Sequence, residues 1–266
     1  MTSKSHNEVH SIELSSADDL LAFLESSGKD RFDWFRGHSD KTYPLWPQLL
    51  RPGQLRREDA LLGTFVQRAG ALPGAPGLDD YTAWVSIAQH HGLPTRALDW
   101  SESFLVALYF AVIGSSDDSR TLNTDGAVWV LNPVRLNQVH CSEANGVCRE
   151  SDLGLMNAHY KAIFGRSLGA GFKTWDVTAY RAQYRNPRMV AQKAAFTWHL
   201  ETTPLELHPE ASTYLRRVVV PGAAKAKLLK HITALGVSES TLFPDFEGIA
   251  KELRRRIPRL SLYRRR

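Results

Sequence analysis

Chemically useful side chains are concentrated between Gln89 and Ala111, in the sequence QHHGLPTRALDWSESFLVALYFA. Two adjacent histidines, an arginine, an aspartate and a tryptophan fall within its first twelve residues, and a glycine and a proline interrupt them. Gly and Pro punctuate secondary structure, so these polar groups fall where one element passes into the next. Because binding and catalytic groups concentrate at such junctions, the segment is predicted to form one wall of a site.

A second group follows a strand predicted over residues 31–35, where Arg36, Gly37 and His38 come in succession. The guanidinium of Arg36 is a permanent planar cation that suits a phosphate or a carboxylate. Gly37 would let a ligand approach the backbone closely. A surface arginine before a turn is the alternative, and the local pattern does not decide between the two.

Other kinds of site fit the sequence less well. Adjacent His90 and His91 point in different directions on a helix, and neither His-x-x-x-His nor Cys-x-x-Cys spacing occurs near them, so no metal is predicted. A serine nucleophile would lack its usual Gly-x-Ser-x-Gly turn. Cys141 and Cys148 are the two cysteines of the chain. They predict a reduced cytoplasmic protein, with a small loop-closing disulfide as the alternative.

Composition limits the class of protein and its partners. The 266 residues, 43% of them hydrophobic, suffice for a sizeable core. No apolar run reaches about 18 residues, so we expect no membrane partner. The net charge of +5 is local, because residues 251–266 hold eight Lys or Arg against one Glu. This basic end could bind the phosphates of DNA or RNA without reading sequence, or it could be a solvated helix end and terminus.

The hydrophobic spacing predicts an α+β domain, because strands and helices interleave without a regular βα alternation. Helices are predicted from the Ser15–Ser16 cap to Gly28, over residues 56–69, 79–90, 104–112, 157–164 and 223–235, and after a cap at Asp245. Strands are predicted over residues 93–100, 127–131 and 213–220, and residues 188–199 are predicted to form a strand pair or one bent strand.

Five segments together resemble one family: FRGH at 35–38, QHHGLPTRALDW at 89–100, ALYFA at 107–111, RMVAQKAAFTWH at 188–199 and LFPDFEG at 242–248. In this order they are similar to the motifs of the FRG domain family, which is named for its Phe-Arg-Gly tripeptide. The resemblance covers about residues 30–251, with residues 1–29 as a helix packed on the domain and residues 252–266 as a basic helix end and tail. FRG domains are grouped with the ADP-ribosyltransferases. The resemblance therefore implies a split, mostly antiparallel sheet with flanking helices, and NAD as substrate.

The resemblance also implies roles for single residues. Arg36, with Gly37 and His38, would hold the ribose and phosphates of NAD, and the strand-to-helix junction at 98–103 would lie beside the nicotinamide. The other residues placed at the cofactor are His90, His91, Thr95, Arg96, Trp100, Ser101 and Tyr109. One of the two histidines is expected to face the pocket, whereas Tyr109 also fits a plain core position on an apolar helix.

The catalytic acid is the open question of this resemblance. A third strand of related enzymes carries a glutamate, and the residue aligned here is Gln192, an amide that can orient a ribose hydroxyl but supplies no negative charge. Glu247, Asp245 and Asp99 are the acids that could replace it, and Asp245 also fits a helix cap. Alternatively, transfer to a good nucleophile would need little help from a base. The candidate catalytic residues are Arg36, Gln192, Glu247 and Asp99.

The resemblance implies an enzyme that transfers ADP-ribose from NAD to a macromolecule, with nucleic acid as one acceptor, in the manner of a toxin or a phage-defence effector. Two alternatives stay open. The missing glutamate favours a nucleotide- or nucleic-acid-binding module that turns nothing over. An NAD glycohydrolase would differ from the transferase in having water as the acceptor.

Overall fold

The computed structural model describes residues 9–27, 33–53, 58–77, 80–113, 123–141, 146–149 and 176–256. The helix predicted over residues 157–164 lies outside these ranges. The described strands are β1 (Ser11–Glu13), β2 (Trp34–His38), β3 (Ala97–Ser101), β4 (Gly126–Leu131), β5 (Cys148–Arg149), β6 (Val177–Arg181), β7 (Ala194–His199) and β8 (Leu215–Val220). The described helices are α1 (Ala17–Ser27), α2 (Glu58–Ala69), α3 (Tyr81–His90), α4 (Phe104–Val112), α5 (Pro133–His140), α6 (Pro187–Ala191), α7 (Gly222–Ala234), α8 (Glu239–Leu242) and α9 (Phe246–Arg256).

The described strands form one mixed sheet in the order β1-β8-β4-β2-β3-β7-β6-β5. The inner neighbours are antiparallel, and the outermost pairs, β1 with β8 and β5 with β6, are parallel. Helices flank this sheet, which confirms the predicted α+β class with a mostly antiparallel sheet.

The sheet is weakest at its centre, between β2 and β3. Each of these strands pairs along its whole length with its other neighbour, β4 or β7, respectively. Between themselves they pair at one position, Phe35 with Ser101. The two strands therefore separate beyond this pair and leave an opening in the middle of the sheet.

Helix α4 covers the sheet beside this opening. Its sequence, FLVALYFAV, is apolar all round, as expected of a helix that is buried on most sides. It packs on β2 and β4 in a cluster that includes Phe35, Val128 and, from α1, Phe23. A Cβ added at Gly37 would lie 1.8 Å from the carbonyl oxygen of Ala107, so the glycine permits the close contact between β2 and α4.

The two faces of the sheet hold different parts of the core. Side chains alternate along a strand, so Trp34, Leu98 and Trp129 project to the face opposite Phe35, where they pack with Leu136 of α5. On the face of Phe35, a further cluster joins α2 and α3 to β3, β6 and β7. The helices thus enclose the sheet around the central opening.

The structure differs from the prediction for residues 188–199. Helix α6 begins at Pro187, and Asn186 caps it by accepting a hydrogen bond from the amide of Met189. Lys193 then turns the chain with a positive φ of 48°, and β7 starts at Ala194. The prediction of a strand pair or of one bent strand was therefore wrong for the first half of this segment.

The ends of the described chain join the same body. Strand β1 pairs with β8, and Leu20 and Phe23 of α1 lie in the core cluster around α4. At the other end, Asp245 caps α9 by accepting from the amide of Gly248, as predicted. Among the described residues, no helix is long and apolar enough to cross a membrane. Both cysteines are free thiols.

Candidate functional site

A cleft of about 300 Å³ lies where β2 and β3 separate. It is lined by Phe35, Arg36, Gly37, Asp99, Trp100, Ser101, Val106, Ala107, Phe110, Gln192 and Phe243. The strands and the end of α6 supply the polar groups, and α4 supplies an apolar wall. The structure thereby brings together six of the residues predicted for the site, from segments far apart in the sequence: Arg36, Gly37, Asp99, Trp100, Ser101 and Gln192.

Arg36 is held in position by two acceptors. Its Nε donates to Nε2 of His38 at 3.1 Å, and its Nη1 donates to the backbone carbonyl of Asp99 at 2.6 Å. The prediction placed Arg36 just after its strand, but it lies inside β2. Its side chain and that of Asp99 leave the sheet from opposite faces. Nη1 still lies 3.8 Å from Oδ2 of Asp99, which the separation of the strands permits.

The partners of His38 define its protonation. Because arginine only donates, Nε2 of His38 must accept, and Nδ1 therefore carries the proton and donates to the carbonyl of Tyr43 at 3.0 Å. Burial, followed by the charge of Arg36, lowers the pKa of His38 from 6.5 to about 3. His38 is therefore neutral at pH 7 and orients Arg36 without cancelling its charge.

A second buried histidine has the same property. His199 of β7 is fully buried, and its Nε2 lies 2.8 Å from Oγ1 of Thr197. Burial, followed by the nearby His208 and His140, lowers the pKa of His199 to about 3. Below pH 6.5 the imidazoles of His38 and His199 carry protons in the unfolded chain. Folding above pH 3 therefore requires both side chains to release these protons.

We expect the protein to lose stability in mild acid. Between pH 6.5 and pH 3 the unfolded chain binds protons that His38 and His199 exclude, so the free energy of unfolding falls as the pH falls below 6.5. The loss at pH 5 is about 2 kcal/mol for each histidine. Urea unfolding at a series of pH values measures it. A His38→Gln variant, whose amide can bond both Arg36 and Tyr43, should lose less stability over this range, and equal pH dependence of both proteins would contradict the assignment.

Asp99 is the acid of the cleft, and a hydrogen-bond chain places it there. The hydroxyl of Thr95 donates to Oε1 of Gln89 at 2.5 Å, and Nε2 of Gln89 donates to Oδ1 of Asp99 at 2.5 Å. These three residues join the end of α3, the following loop and β3. Gln89 begins the central sequence motif, but its role was not predicted, because a side-chain bridge of this kind depends on how the loop closes.

The surroundings of Asp99 disfavour its charged form. Solvent reaches 59% of its side chain through the open cleft, and protein atoms surround it elsewhere. This desolvation raises the pKa of Asp99 above 3.8, against the opposing effects of Arg36 and of the bond from Gln89. A carboxyl with a raised pKa beside a partly buried arginine in a cleft is a combination typical of functional sites.

Gln192 closes the cleft at the side of α8. It ends α6 and does not lie on the strand to which the resemblance assigned it. Its backbone carbonyl accepts from Oγ of Ser101 at 2.6 Å, and its side-chain Nε2 donates to the carbonyl of Leu242 at 3.1 Å. The amide is therefore anchored at the rim of the cleft, and no described residue donates to its oxygen.

Several predicted residues have structural contacts in or away from the cleft. Trp100 is buried and donates to Thr197 at 2.9 Å, so it reaches the cleft only as part of its wall. Tyr109 donates from its buried hydroxyl to Glu239 at 2.8 Å. Arg96 donates to the carbonyl of Leu200 at 3.2 Å. In each of these three residues, a polar atom that could bind a ligand donates to another residue of the protein.

The remaining predicted residues lie outside the cleft. Glu247 is an exposed acid whose carboxylate lies 2.9 Å from Lys251 and 3.6 Å from Arg188. His90 and His91 line a different cavity, of about 730 Å³, between α2, α3 and the start of α6. Burial, followed by the neighbouring His91, lowers the pKa of His90. Among the described residues, no group of three or more His, Cys, Asp or Glu side chains is arranged to hold a metal ion.

The comparison with known families concerns the strands and helix of this cleft. The family model of the FRG domain matches residues 32–120. The FRG assignment therefore holds for this part of the chain. The match includes the Phe-Arg-Gly tripeptide on β2 and the central motif from α3 to β3. No curated protein and no solved structure matches the chain.

The matched part of the FRG domain does not complete the cleft alone. Arg36 and Asp99 lie inside residues 32–120, whereas Gln192 and Phe243 come from beyond them. Strands β4 and β7, which pair with the two strands of the match, also lie beyond it. The extension of the domain to residue 251 stays a prediction, and the structure supplies its rationale, because the later segments line the same cleft.

Proposed function

We propose that the FRG domain binds NAD in the cleft between β2 and β3 and transfers ADP-ribose to a macromolecular acceptor. The observation that carries the proposal is the position of Arg36, a guanidinium aimed into an opening in the sheet beside a carboxylate. The membership of the FRG domain in the ADP-ribosyltransferase superfamily is part of the proposal. The separation of β2 and β3 at the centre of a mostly antiparallel sheet supports this membership.

Arg36 suits the diphosphate of NAD. Its Nε and Nη1 are used by His38 and by the carbonyl of Asp99, and no described residue accepts a hydrogen bond from its Nη2. A neutral His38 leaves the positive charge uncompensated on that side. Charge-assisted hydrogen bonds from such a fixed guanidinium to phosphate oxygens are among the strong ones in proteins. Gly37, next in the strand, keeps the adjacent wall free of a side chain.

Asp99 takes the role that the resemblance gives to a glutamate. As the bond between nicotinamide and ribose breaks, positive charge develops on the ribose, and a carboxylate placed in the site stabilises it. Asp99 is the carboxylate among the described lining residues, whereas Glu247 pairs with Lys251 and Arg188 outside it. The carbonyl oxygen of the Gln192 side chain would accept a ribose hydroxyl and orient the sugar.

An Asp99→Asn variant separates binding from chemistry. The amide keeps an oxygen for the hydrogen bond from Gln89, so the wall should keep its shape, but the negative charge is lost. We expect NAD affinity to change little and nicotinamide release to fall about 100-fold, the scale of removing one electrostatic group from a transition state. Calorimetry and release of labelled nicotinamide measure the two effects. Glu102→Gln, an acid that pairs with Arg181 outside the cleft, is the matched control.

The acceptor is decided by a labelling experiment. The pure protein is incubated with NAD labelled in its adenylate part and with DNA, RNA, protein extract or buffer alone. DNA and RNA come first because residues 251–266 are strongly basic and could dock on phosphates. Label on a macromolecule supports the transferase, and nicotinamide release with buffer alone identifies an NAD glycohydrolase. Absence of both would exclude NAD turnover, and with it a toxin or phage-defence role that depends on NAD.

The hydrogen bond that Asp99 already accepts from Gln89 favours a second function. Oδ1 of Asp99 accepts from Gln89 at 2.5 Å, and the residue that the resemblance aligns with the glutamate of related enzymes is an amide, Gln192. The same cleft could therefore bind a nucleotide as a sensing module and leave it intact. Calorimetric binding of NAD, lost in an Arg36 variant and accompanied by no nicotinamide release, would select this alternative over the enzyme.

A further inference from the structure

The last helix, α9, attaches to the protein by its polar side. Gly248 lies so close to α8 that an added Cβ would be 2.0 Å from the carbonyl oxygen of Phe243. One turn later, Glu252 accepts from the hydroxyl of Ser238 at 2.7 Å and from the amide of Ser240 at 2.8 Å. Arg255 then lies 3.2 Å from Glu239. Glycine and two charged residues thus form the face that contacts the fold.

The apolar side of α9 is exposed to solvent. Phe246 is 93% exposed, Ile249 47% and Leu253 52%. Residues three and seven positions apart lie on one face of a helix, so these three side chains form a continuous stripe. Amphipathic helices of globular proteins normally bury this stripe and leave charges outside. In α9 the arrangement is reversed, which indicates that the stripe contacts something other than the described part of this chain.

The segment that carries the stripe is rich in basic residues. From residue 246 to residue 266 the sequence holds eight Lys or Arg against two Glu, a net charge of +6. Glu252 is used by Ser238 and Ser240, and Glu247 pairs with Lys251 at 2.9 Å. The net charge of this segment is therefore positive, and its partner is expected to be negative.

We propose that α9 binds the surface of an anionic lipid bilayer, with Phe246, Ile249 and Leu253 inserted below the headgroups and the basic residues at the phosphates. An apolar stripe bordered by Lys and Arg is the pattern of helices that lie in a membrane interface. The expectation of no membrane partner rested on the absence of a spanning segment, and an interfacial helix needs none. The proposal is independent of NAD binding, since the residues that line the cleft do not include these three side chains.

The observations favour a membrane over two other partners. A second copy of the chain would bring two basic helices together, and like charges oppose that contact. A nucleic acid would attract the arginines, but contact with its phosphates would not bury the stripe. An anionic bilayer accounts for both the apolar stripe and the basic residues, because the hydrocarbon accepts the apolar side chains and anionic headgroups attract the cations.

Vesicle sedimentation with the full chain tests the proposal. The vesicles contain phosphatidylcholine alone or phosphatidylcholine mixed with phosphatidylglycerol, at low and high salt. We expect binding to the mixed vesicles, weaker binding without phosphatidylglycerol, and weaker binding at high salt. A Phe246→Ser, Leu253→Ser double variant should bind at least about tenfold less, because two apolar side chains no longer leave water. Leu235→Ser, at a residue that is 64% exposed at the end of α7, is the matched control and should bind like the parent.

Three results would overturn the proposal. The parent protein would fail to sediment with mixed vesicles, or the double variant would bind them as well as the parent does. Alternatively, the parent would be a dimer by light scattering and the double variant a monomer, which would make the stripe an interface between two copies. Because all three side chains are exposed, the variants should keep the melting temperature of the parent, and nicotinamide release by the same samples reports separately on the cleft.

Discussion

Arg36→Ala is expected to reduce NAD affinity by about 100-fold or more, because it removes a fixed, charged donor from the centre of the cleft. Arg36→Lys keeps the positive charge but cannot donate to His38 and to the carbonyl of Asp99 while also reaching a phosphate. We therefore expect the lysine variant to bind with intermediate affinity. Calorimetric titration with NAD measures both variants.

The effect of Arg36 on the fold must be distinguished from its effect on the ligand. Without it, Nε2 of the buried His38 loses its donor, so some loss of stability is expected in both variants. Arg135→Ala, on α5 and outside the cleft, is the control for removal of an arginine as such. If Arg36→Ala keeps the parent's melting temperature and binds NAD with undiminished affinity, the cleft is not the NAD site.

Gly37→Ala is expected to destabilise the protein by about 3 kcal/mol or more, or to prevent folding, because β2 and α4 would have to move apart. The added Cβ would lie 1.8 Å from the carbonyl oxygen of Ala107 and 2.8 Å from the amide nitrogen of Ala111, and both are backbone atoms that cannot rotate away. Urea unfolding of the purified variant, or its soluble yield where it does not fold, measures the effect.

The control for Gly37→Ala is Gly77→Ala. No atom lies within 4 Å of a Cβ added at Gly77, so this variant should unfold within about 0.5 kcal/mol of the parent. Equal stability of the two variants would contradict the close packing of α4 on β2. A stable Gly37→Ala protein that no longer binds NAD would instead make Gly37 a ligand-binding position alone.

The fold was predictable where hydrophobic spacing is regular. The sequence predicted α4 over residues 104–112 and a strand over residues 127–131, and the structure has them at Phe104–Val112 and Gly126–Leu131. The prediction from the sequence failed where an N-cap residue starts a helix. Asn132-Pro133 and Asn186-Pro187 both start short helices, with the asparagine side chain as the cap and proline in the first turn. This signature is readable in the sequence, but apolar and β-branched residues after it favoured strands or gave no clear pattern.

The site was predictable as a set of segments and less so as a set of contacts. The resemblance placed Arg36, Asp99 and Gln192 in one pocket, and the structure brings them to one cleft. It could not show that His90 and His91 line another cavity, since their direction depends on where α3 ends. The bridge from Gln89 to Asp99 likewise depends on loop geometry, which periodicity does not encode.

The single residue pair between β2 and β3, Phe35 with Ser101, has a consequence for dividing the chain into fragments. Among the described strands, β1, β8, β4 and β2 form one half of the sheet and β3, β7, β6 and β5 the other, and the backbone passes between the halves four times. No single cut can release either half as a continuous polypeptide. The family-matched stretch, residues 32–120, holds β2 and β3 alone, joined by one residue pair. We therefore expect residues 32–120 not to fold on their own when expressed as a fragment.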